Sequence, residues 1–340
     1  MIPFGYPPME MRAVAAVPDG PQWQYEPKWD GFRCLAFSGA EGVTLQSKAG
    51  QPLGRYFPEV VDALGRLAPK DFVLDGELVV PEAGAFSFDA LQQRIHPAAS
   101  RVAMLAQKTP AWYLVFDLLA ADGTDLIALP LSERRERLER FAEVFDGSTL
   151  RLSPATRDRR VVDEWFARVG GSLDGVIAKR ADAAYASGSR DAAVKVKRRR
   201  TADCVVGGFR YAKGSTTQVG SLLLGLYDDA GLLDYIGFCS AFGADEKKAL
   251  LGRLMPHAGE PGFTGGAPDS APSRWDRGED RDRSYVKLKH DLVIEVEFDQ
   301  VTSGRIRHGT KPVRWRPDKA PSQCTAEQLA TPDRAIALLG

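Results

Sequence analysis

Glu26-Pro27-Lys28-Trp29-Asp30-Gly31-Phe32-Arg33 is the stretch on which the reading of this chain turns. Lys28, Asp30 and Arg33 fall within six positions. One reading is a charged turn that leads into a strand. The other makes Lys28 a nucleophile that forms a covalent intermediate. That chemistry requires three things elsewhere in the chain: cations for an anionic ligand, a carboxylate for a metal, and a flat side chain to hold a base.

The composition around that stretch is that of a globular protein. At 340 residues the chain is long enough for two domains, each with its own core. Hydrophobic residues make up 44% and charged residues 26%, the balance of a soluble protein. No apolar run reaches membrane-spanning length, and the start of the chain has neither a basic nor an apolar leader region, so a cytoplasmic protein is expected. Cys34, Cys204, Cys239 and Cys324 lie far apart without a Cys-x-x-Cys, and histidines number four. Neither a structural zinc site nor a disulfide framework is indicated, and buried thiols are expected. Lys plus Arg equals Asp plus Glu at 45 each, so charge is informative through its distribution. Val301–Ala320 carries Arg305, Arg307, Arg314, Arg316, Lys311 and Lys319 against Asp318 alone, a local +5, and Lys195–Arg200 is a second basic run. Such stripes are an electrostatic footprint even on a neutral protein, or else solvated faces.

Taken in order, Arg33–Phe37 and Gly42–Ser47 read as two strands joined by a turn, with Lys28 just before the first. Pro58–Leu67 reads as a helix with Val61, Leu64 and Leu67 on one face. Phe72–Val80 is strand-like with Asp75-Gly76-Glu77 in its middle, and the alternative there is an Asp-Gly hairpin turn. Phe86–Ile95 reads as a short helix, and Trp112–Leu119 as a very apolar strand interrupted by Asp117. Ser132–Phe145 is an amphipathic helix with Ser132 as its N-cap, and Val161–Val169 is a second helix. Leu173–Arg180 is a strand with Asp174 at its start and Lys179 near its end, and the alternation of Lys195-Val196-Lys197 puts both ammonium groups on one side. From there the texture changes to short strands: Asp203–Tyr211, Ser221–Tyr227, Leu232–Cys239 and Leu292–Phe298, with one helix, Ala244–Leu254. That set is what an OB-type barrel requires. The fold class is therefore α+β, antiparallel sheets with flanking helices followed by a barrel, with the boundary near Arg198–Thr201 and domains over 1–199 and 200–340. Gly259–Pro272 reads as a Gly/Pro-rich loop, and Arg274–Arg283 is too dense in charge to be core.

These parts meet the requirements of a lysine nucleophile. Lys28 reacts only after losing its proton, which neighbouring cations favour. Lys179, Lys195 and Lys197 are the candidate cations, and they would also hold phosphates. Glu77 and Asp174 are isolated acids able to hold a ribose hydroxyl and a Mg²⁺, whose sites use one or two carboxylates plus phosphate oxygens. Phe116 offers a face for a base, and Arg314, Arg316 and Lys319 could close over a polyphosphate. The set points to phosphoryl or nucleotidyl transfer through a lysyl–phosphorus bond.

Lys28 through Arg33 resembles the first signature of the covalent nucleotidyltransferases, which comprise ATP-dependent DNA ligases, RNA ligases and mRNA capping enzymes. The later signatures follow in the same order: Ser47-Lys48-Ala49-Gly50, Leu74-Asp75-Gly76-Glu77-Leu78, Tyr113 through Phe116-Asp117, Asp174 through Lys179, Lys195-Val196-Lys197, and Arg314-Trp315-Arg316-Pro317-Asp318-Lys319. The short chain resembles the bacterial stand-alone ligase C and the ligase module of end-joining ligase D. The resemblance implies an adenylation domain followed by an OB-fold domain, with ATP as cofactor and Mg²⁺ or Mn²⁺ as metal. Lys28 would become adenylated. Glu26 would face the adenine amino group, Phe116 would stack on the ring, and Glu77 would hold the ribose. Arg33 and Lys48 would contact phosphates of the nucleotide and of the nick. Lys195 and Lys197, with Lys179 nearby, would hold the α-phosphate, and Asp174, with Glu77, would serve the metal. Arg314, Arg316 and Lys319 would orient pyrophosphate.

Three departures from the family pattern stand out. Lys48 stands where arginine is usual and removes a bidentate fork. Asp174 stands where glutamate is usual, and Ala192-Ala193 precede Lys195 where an aromatic is common. The implied partner is nicked double-stranded DNA, with Ku-type end-joining or repair proteins as recruiters, a monomeric state, and nucleoid association on DNA. The alternatives are an RNA ligase, a capping-type guanylyltransferase, or a catalytically weak protein that binds nicks or ends.

Overall fold

In the computed structural model, residues 2–68, 70–82, 84–167, 173–197, 199–268, 284–330 and 335–339 are described. The chain divides into two compact units, Met1–Arg198 with Thr331–Gly340, and Arg199–Ala330.

In chain order the first unit holds β1 (Trp23–Trp29), β2 (Phe32–Gly39), β3 (Gly42–Ser47), α1 (Pro58–Gly65), β4 (Val73–Val79), α2 (Phe88–Gln93), α3 (Ala99–Lys108), β5 (Trp112–Ala121), α4 (Leu131–Phe141), β6 (Leu150–Leu152), α5 (Arg159–Ala167), β7 (Leu173–Arg180) and β8 (Ala193–Val196). One sheet runs in the order Arg12–Ala13, β8, β7, β1; the other runs β6-β5-β4-β2-β3, with Thr124–Asp125 added beside β5. Pairing is antiparallel except for Arg12–Ala13 against β8 and β6 against β5.

Lys28 lies inside β1, not ahead of a strand. Pro27 hides that strand from a pattern reading, because proline lacks the N–H that a central strand needs. β1 is the edge of its sheet, where proline is tolerated. β4 is the opposite case. Flanked by β2 and β5, it buries Val73, Leu74, Leu78 and Val79, and Asp75-Gly76 continues the strand without turning. Gly76 is there for close packing: a Cβ would sit 2.6 Å from both the Tyr113 ring and the Leu114 carbonyl oxygen.

The helices pack as amphipathic covers with three differences from expectation. The buried residues of α1 are Val60, Ala63 and Leu64, and Leu67 is buried just beyond its end. α4 begins at Leu131 with Pro130 in the capping position, so Ser132 is not its cap. The N–H groups of Leu131 and Ser132 instead donate to the carbonyls of Ala183 and Ala181, each at 2.9 Å, which leaves a side-chain cap little to satisfy. α3 buries Val102 alone, too little periodicity to read in the sequence. The expected helix end at Val169 lies outside the described residues, as does Arg198 at the expected boundary.

The second unit contains β9 (Arg200–Tyr211), β10 (Val219–Tyr227), β11 (Leu233–Cys239), α6 (Ala244–Leu254), β12 (Val293–Phe298) and β13 (Lys311–Trp315). They form an antiparallel sheet in the order β11-β10-β9-β12-β13, extended by Val286–Lys287 beside β9. β12 alternates as its sequence demands: Ile294, Val296 and Phe298 are buried, while Glu295 and Glu297 turn outward. Residues 269–283, including the charged run Arg274–Arg283, lie outside the described residues. The expected second segment ran to 340, but Ile336, Leu338 and Leu339 pack on the Trp112 and Phe86 cluster of the first unit. All four cysteines are buried thiols. Among the described residues no helix is long and apolar enough to cross a membrane.

Arg94 carries weight that its sequence does not announce. It is fully buried, grips both oxygens of Glu59 at 2.7 and 2.8 Å, and donates to the Tyr56 carbonyl at 2.8 Å. Removing one partner of such a pair strands the other. Arg94→Ala should lower unfolding stability by about 3–5 kcal/mol in urea titration; a loss under about 1 kcal/mol would refute that role.

Candidate active site

Lys28 is placed by strand register. β1 pairs with β7 so that Gly175 faces Lys28, Ile177 faces Glu26 and Lys179 faces Gln24. Alternation puts Gln24, Glu26 and Lys28 on one side of β1. The register shifts between Leu173 and Gly175, and Gly175 holds φ of 146° with a Cβ position that would clash with the Val196 backbone. This bulge aims Asp174 at Lys28. The Lys28 Nζ lies 2.5 Å from Asp174 Oδ2, and the Lys197 Nζ lies 3.1 Å from the same oxygen.

A cleft of about 390 Å³ opens beside this pair, lined among others by Lys28, Arg33, Lys48, Glu77, Phe116, Glu10, Arg190 and Lys195. Lys195 has no ion-pair partner among the described residues. Its pKa is lowered by burial and by the ammonium groups of Lys28, Lys197 and Lys48. Such a cation gains from an arriving phosphate. Glu77 has no hydrogen bond to its carboxylate among the described residues. Burial pushes it up to about 7 despite Arg33 and Lys28 nearby.

Three expectations change in the structure. Lys179 and Glu26 are 3% and 1% exposed and are paired at 2.7 Å, with Gln24 donating to the other Glu26 oxygen at 3.0 Å. They lie beneath the cleft, so Lys179 braces Glu26 and does not hold phosphate in this arrangement. The reason is depth: a buried acid on β1 needs a cation from the facing strand. Arg33 gives both fork nitrogens to Asp75, each at 2.5 Å, and its guanidinium carbon lies 4.6 Å from the Phe116 ring centre. The Lys179 ammonium is 4.5 Å from the same ring. Lys48 meets Glu10 at 3.1 Å, and Glu10 also binds Arg190 at 2.7 Å. Glu10 and Arg190 belong to no motif singled out in the sequence, because their meeting depends on the pairing of the Glu10 backbone with Ser189.

Among the described residues no group of three Asp, Glu, His or Cys side chains gathers to hold a metal. A Mg²⁺ held by one carboxylate and substrate phosphates needs no such cluster. Asp174 fits that role, since its Oδ2 already accepts from two cations.

In the second unit Arg314 is bound to Glu295 at 2.7 Å, Arg316 to Asp203 at 2.8 Å and to Asp318 at 2.8 Å, and Lys319 to Asp203 at 3.2 Å. The local +5 read from the sequence is therefore offset in part, by Asp203 of β9 and Glu295 of β12, which the linear count could not see.

Comparison with known proteins adds a family. Residues 11–197 match the family described as ATP dependent DNA ligase domain, and residues 215–319 match the ATP dependent DNA ligase C terminal region. DNA ligase C2 of Mycolicibacterium smegmatis is 42% identical over 339 residues, covering 96% of this chain and 94% of that protein. The multifunctional non-homologous end joining DNA repair protein LigD of Mycobacterium tuberculosis is 32% identical over 315 residues, covering 90% of this chain and 38% of that protein. The crystal structure of the ligase domain from M. tuberculosis LigD superposes with a TM-score of 0.50 at 29% identity, covering 94% of this chain and 98% of that one. The architecture is thus an adenylation domain followed by an OB-fold domain.

The raised Glu77 sets a pH signature. Its folded value, about 7, lies above its ordinary one, so its favourable contribution is complete below the ordinary carboxylate range and is lost as pH rises through the folded value. Glu77→Gln should therefore gain melting temperature over the parent between about pH 5 and pH 8. A gap that stays constant across that range would contradict the burial of an ionisable Glu77.

Proposed function

The chain belongs to the ATP-dependent DNA ligase family, and from that membership we propose how its residues divide the work. Lys28 attacks the α-phosphorus of ATP and forms a phosphoramidate to AMP while pyrophosphate leaves. AMP then passes to the 5′-phosphate of nicked duplex DNA, and the 3′-hydroxyl displaces it. The observation that carries this reading is the 2.5 Å pair of Lys28 with Asp174 beside a cleft that contains Lys195 and Phe116.

Lys28 must give up its proton and its hold on Asp174 before attack. Lys195 and Lys197 hold the α-phosphate, which draws Lys197 from Asp174. Phe116 supports the base, Glu77 binds the ribose hydroxyl, and Glu26, braced by Lys179, faces the base edge. Arg33 and Lys48 take phosphate oxygens of nucleotide and nick. Asp174 would hold the divalent ion, Mg²⁺ or Mn²⁺, which neutralises phosphate charge when bound. Arg314, Arg316 and Lys319 exchange their carboxylates for pyrophosphate oxygens. The protein acts as a monomer on nicks in nucleoid DNA, in repair and end joining, with a Ku-type protein as recruiter. The similarity to LigD, a non-homologous end joining DNA repair protein, supports that context.

Incubation with ATP and a divalent ion should add one AMP to Lys28 by intact mass, and Lys28→Ala should neither gain the adduct nor seal a nick. Adduct formation with GTP alone would overturn the choice of nucleotide. DNA affinity should fall steeply with salt, as phosphate contacts release counterions. A flat response measured by fluorescence anisotropy would exclude the basic stripes as the DNA footprint.

A further inference from the structure

β4 and β5 place two acids directly across from each other: Asp75 is the register partner of Asp117. Both are buried, at 0% and 1% exposure. Facing carboxylates repel, and buried ones cannot rely on water. Each has its own bidentate arginine: Arg33 on Asp75 at 2.5 and 2.5 Å, and Arg134 on Asp117 at 2.8 and 3.0 Å. Asp75 lies next to Gly76 and Asp117 next to Phe116, so these pairs underlie two signature segments.

Tyr185 sits at the join of the two pairs. Its hydroxyl donates to Asp75 Oδ2 at 2.6 Å and accepts from the Met9 N–H at 3.0 Å, while its ring lies 5.7 Å from the guanidinium carbon of Arg134. Tyr6 stacks on it at 6.4 Å between ring centres. The ring is 4% exposed. Burial and the Asp75 charge hold its phenol well above the ordinary range, so it stays a proton donor. An aromatic hydroxyl in this position fixes the Asp75 carboxylate, and the carboxylate fixes the Arg33 fork in the cleft beside Phe116.

We propose that Tyr185 is a positioning residue for the ligase reaction, acting through Asp75 on Arg33. It touches no reacting atom. This rests on the reading of Arg33 as a phosphate contact. With the phenol in place, Asp75 presents both oxygens to Arg33 in one orientation. Without it, Asp75 can turn, and Arg33 reaches the phosphate in fewer molecules. Tyr185 belongs to none of the signatures read from the sequence.

The test is a double-mutant cycle on the single-turnover rate of nick sealing, with parent, Tyr185→Phe, Arg33→Ala and the double variant. Tyr185→Phe keeps the packed ring and loses one hydrogen bond to a charged group, so it should slow sealing roughly tenfold. In the Arg33→Ala background it should change the rate by less than about twofold, the signature of two residues acting as one unit. An equal fold loss in both backgrounds, or no loss in either, overturns the positioning role and leaves the reading of Arg33 intact. If Arg33→Ala seals as fast as the parent, the reading of Arg33 fails and takes the positioning role with it. Should Tyr185→Phe prove poorly folded by melting temperature, Tyr185→His, which keeps a ring and loses the phenol, replaces it in the same cycle, with the same outcomes deciding.

Discussion

A carboxylate inside an apolar sheet must be met by a cation, and this constraint organises the first unit. Glu26, Asp75, Asp117 and Asp174 are each 5% exposed or less. An ionised acid at such depth is prohibitive unless paired and hydrogen-bonded. Lys179, Arg33, Arg134 and the pair Lys28 with Lys197 supply those partners. The same ion pairs fix where the cations of the cleft stand, so the demand of folding and the demand of phosphate chemistry are met by one set of contacts.

The chemical consequence is exchange. Lys28, Lys48, Arg314, Arg316 and Lys319 each hold a carboxylate in this structure. A phosphate oxygen presents the same charge to the same donors, so substrate can replace carboxylate without leaving a cation bare. Lys195 differs. It stands among like charges with a lowered pKa and is the cation with most to gain from an arriving anion.

Much of the fold was legible because its pattern is local. The alternation of β12, the apolar run of β5 and the hairpin of β2 with β3 need no distant partner to be recognised. Other elements were hidden for identifiable reasons. Pro27 masked β1, whose edge position makes proline harmless. Asp75-Gly76 looked like a turn because only its two neighbouring strands keep it extended. Ser132 looked like a cap until Ala181 and Ala183 supplied backbone acceptors. At the site, Lys28, Glu77, Phe116 and Lys195 all line one cleft, whereas the depth of Glu26 and Lys179 could not be read from spacing.

The sequence by itself determined the order of the signatures, the candidacy of Lys28 as nucleophile, the two-part organisation and the departures at Lys48 and Asp174, since these are properties of residue type and position along the chain. Only the tertiary structure decided which acid each cation serves. Arg33 and Asp75 are 42 positions apart, Tyr185 and Asp75 are 110 apart, and Arg316 and Asp203 are 113 apart. Electrostatic pairing falls off over a few ångströms of space and is indifferent to distance along the chain. Strand register, set by burial of apolar faces, therefore had to be known before the site's charges could be assigned to one another.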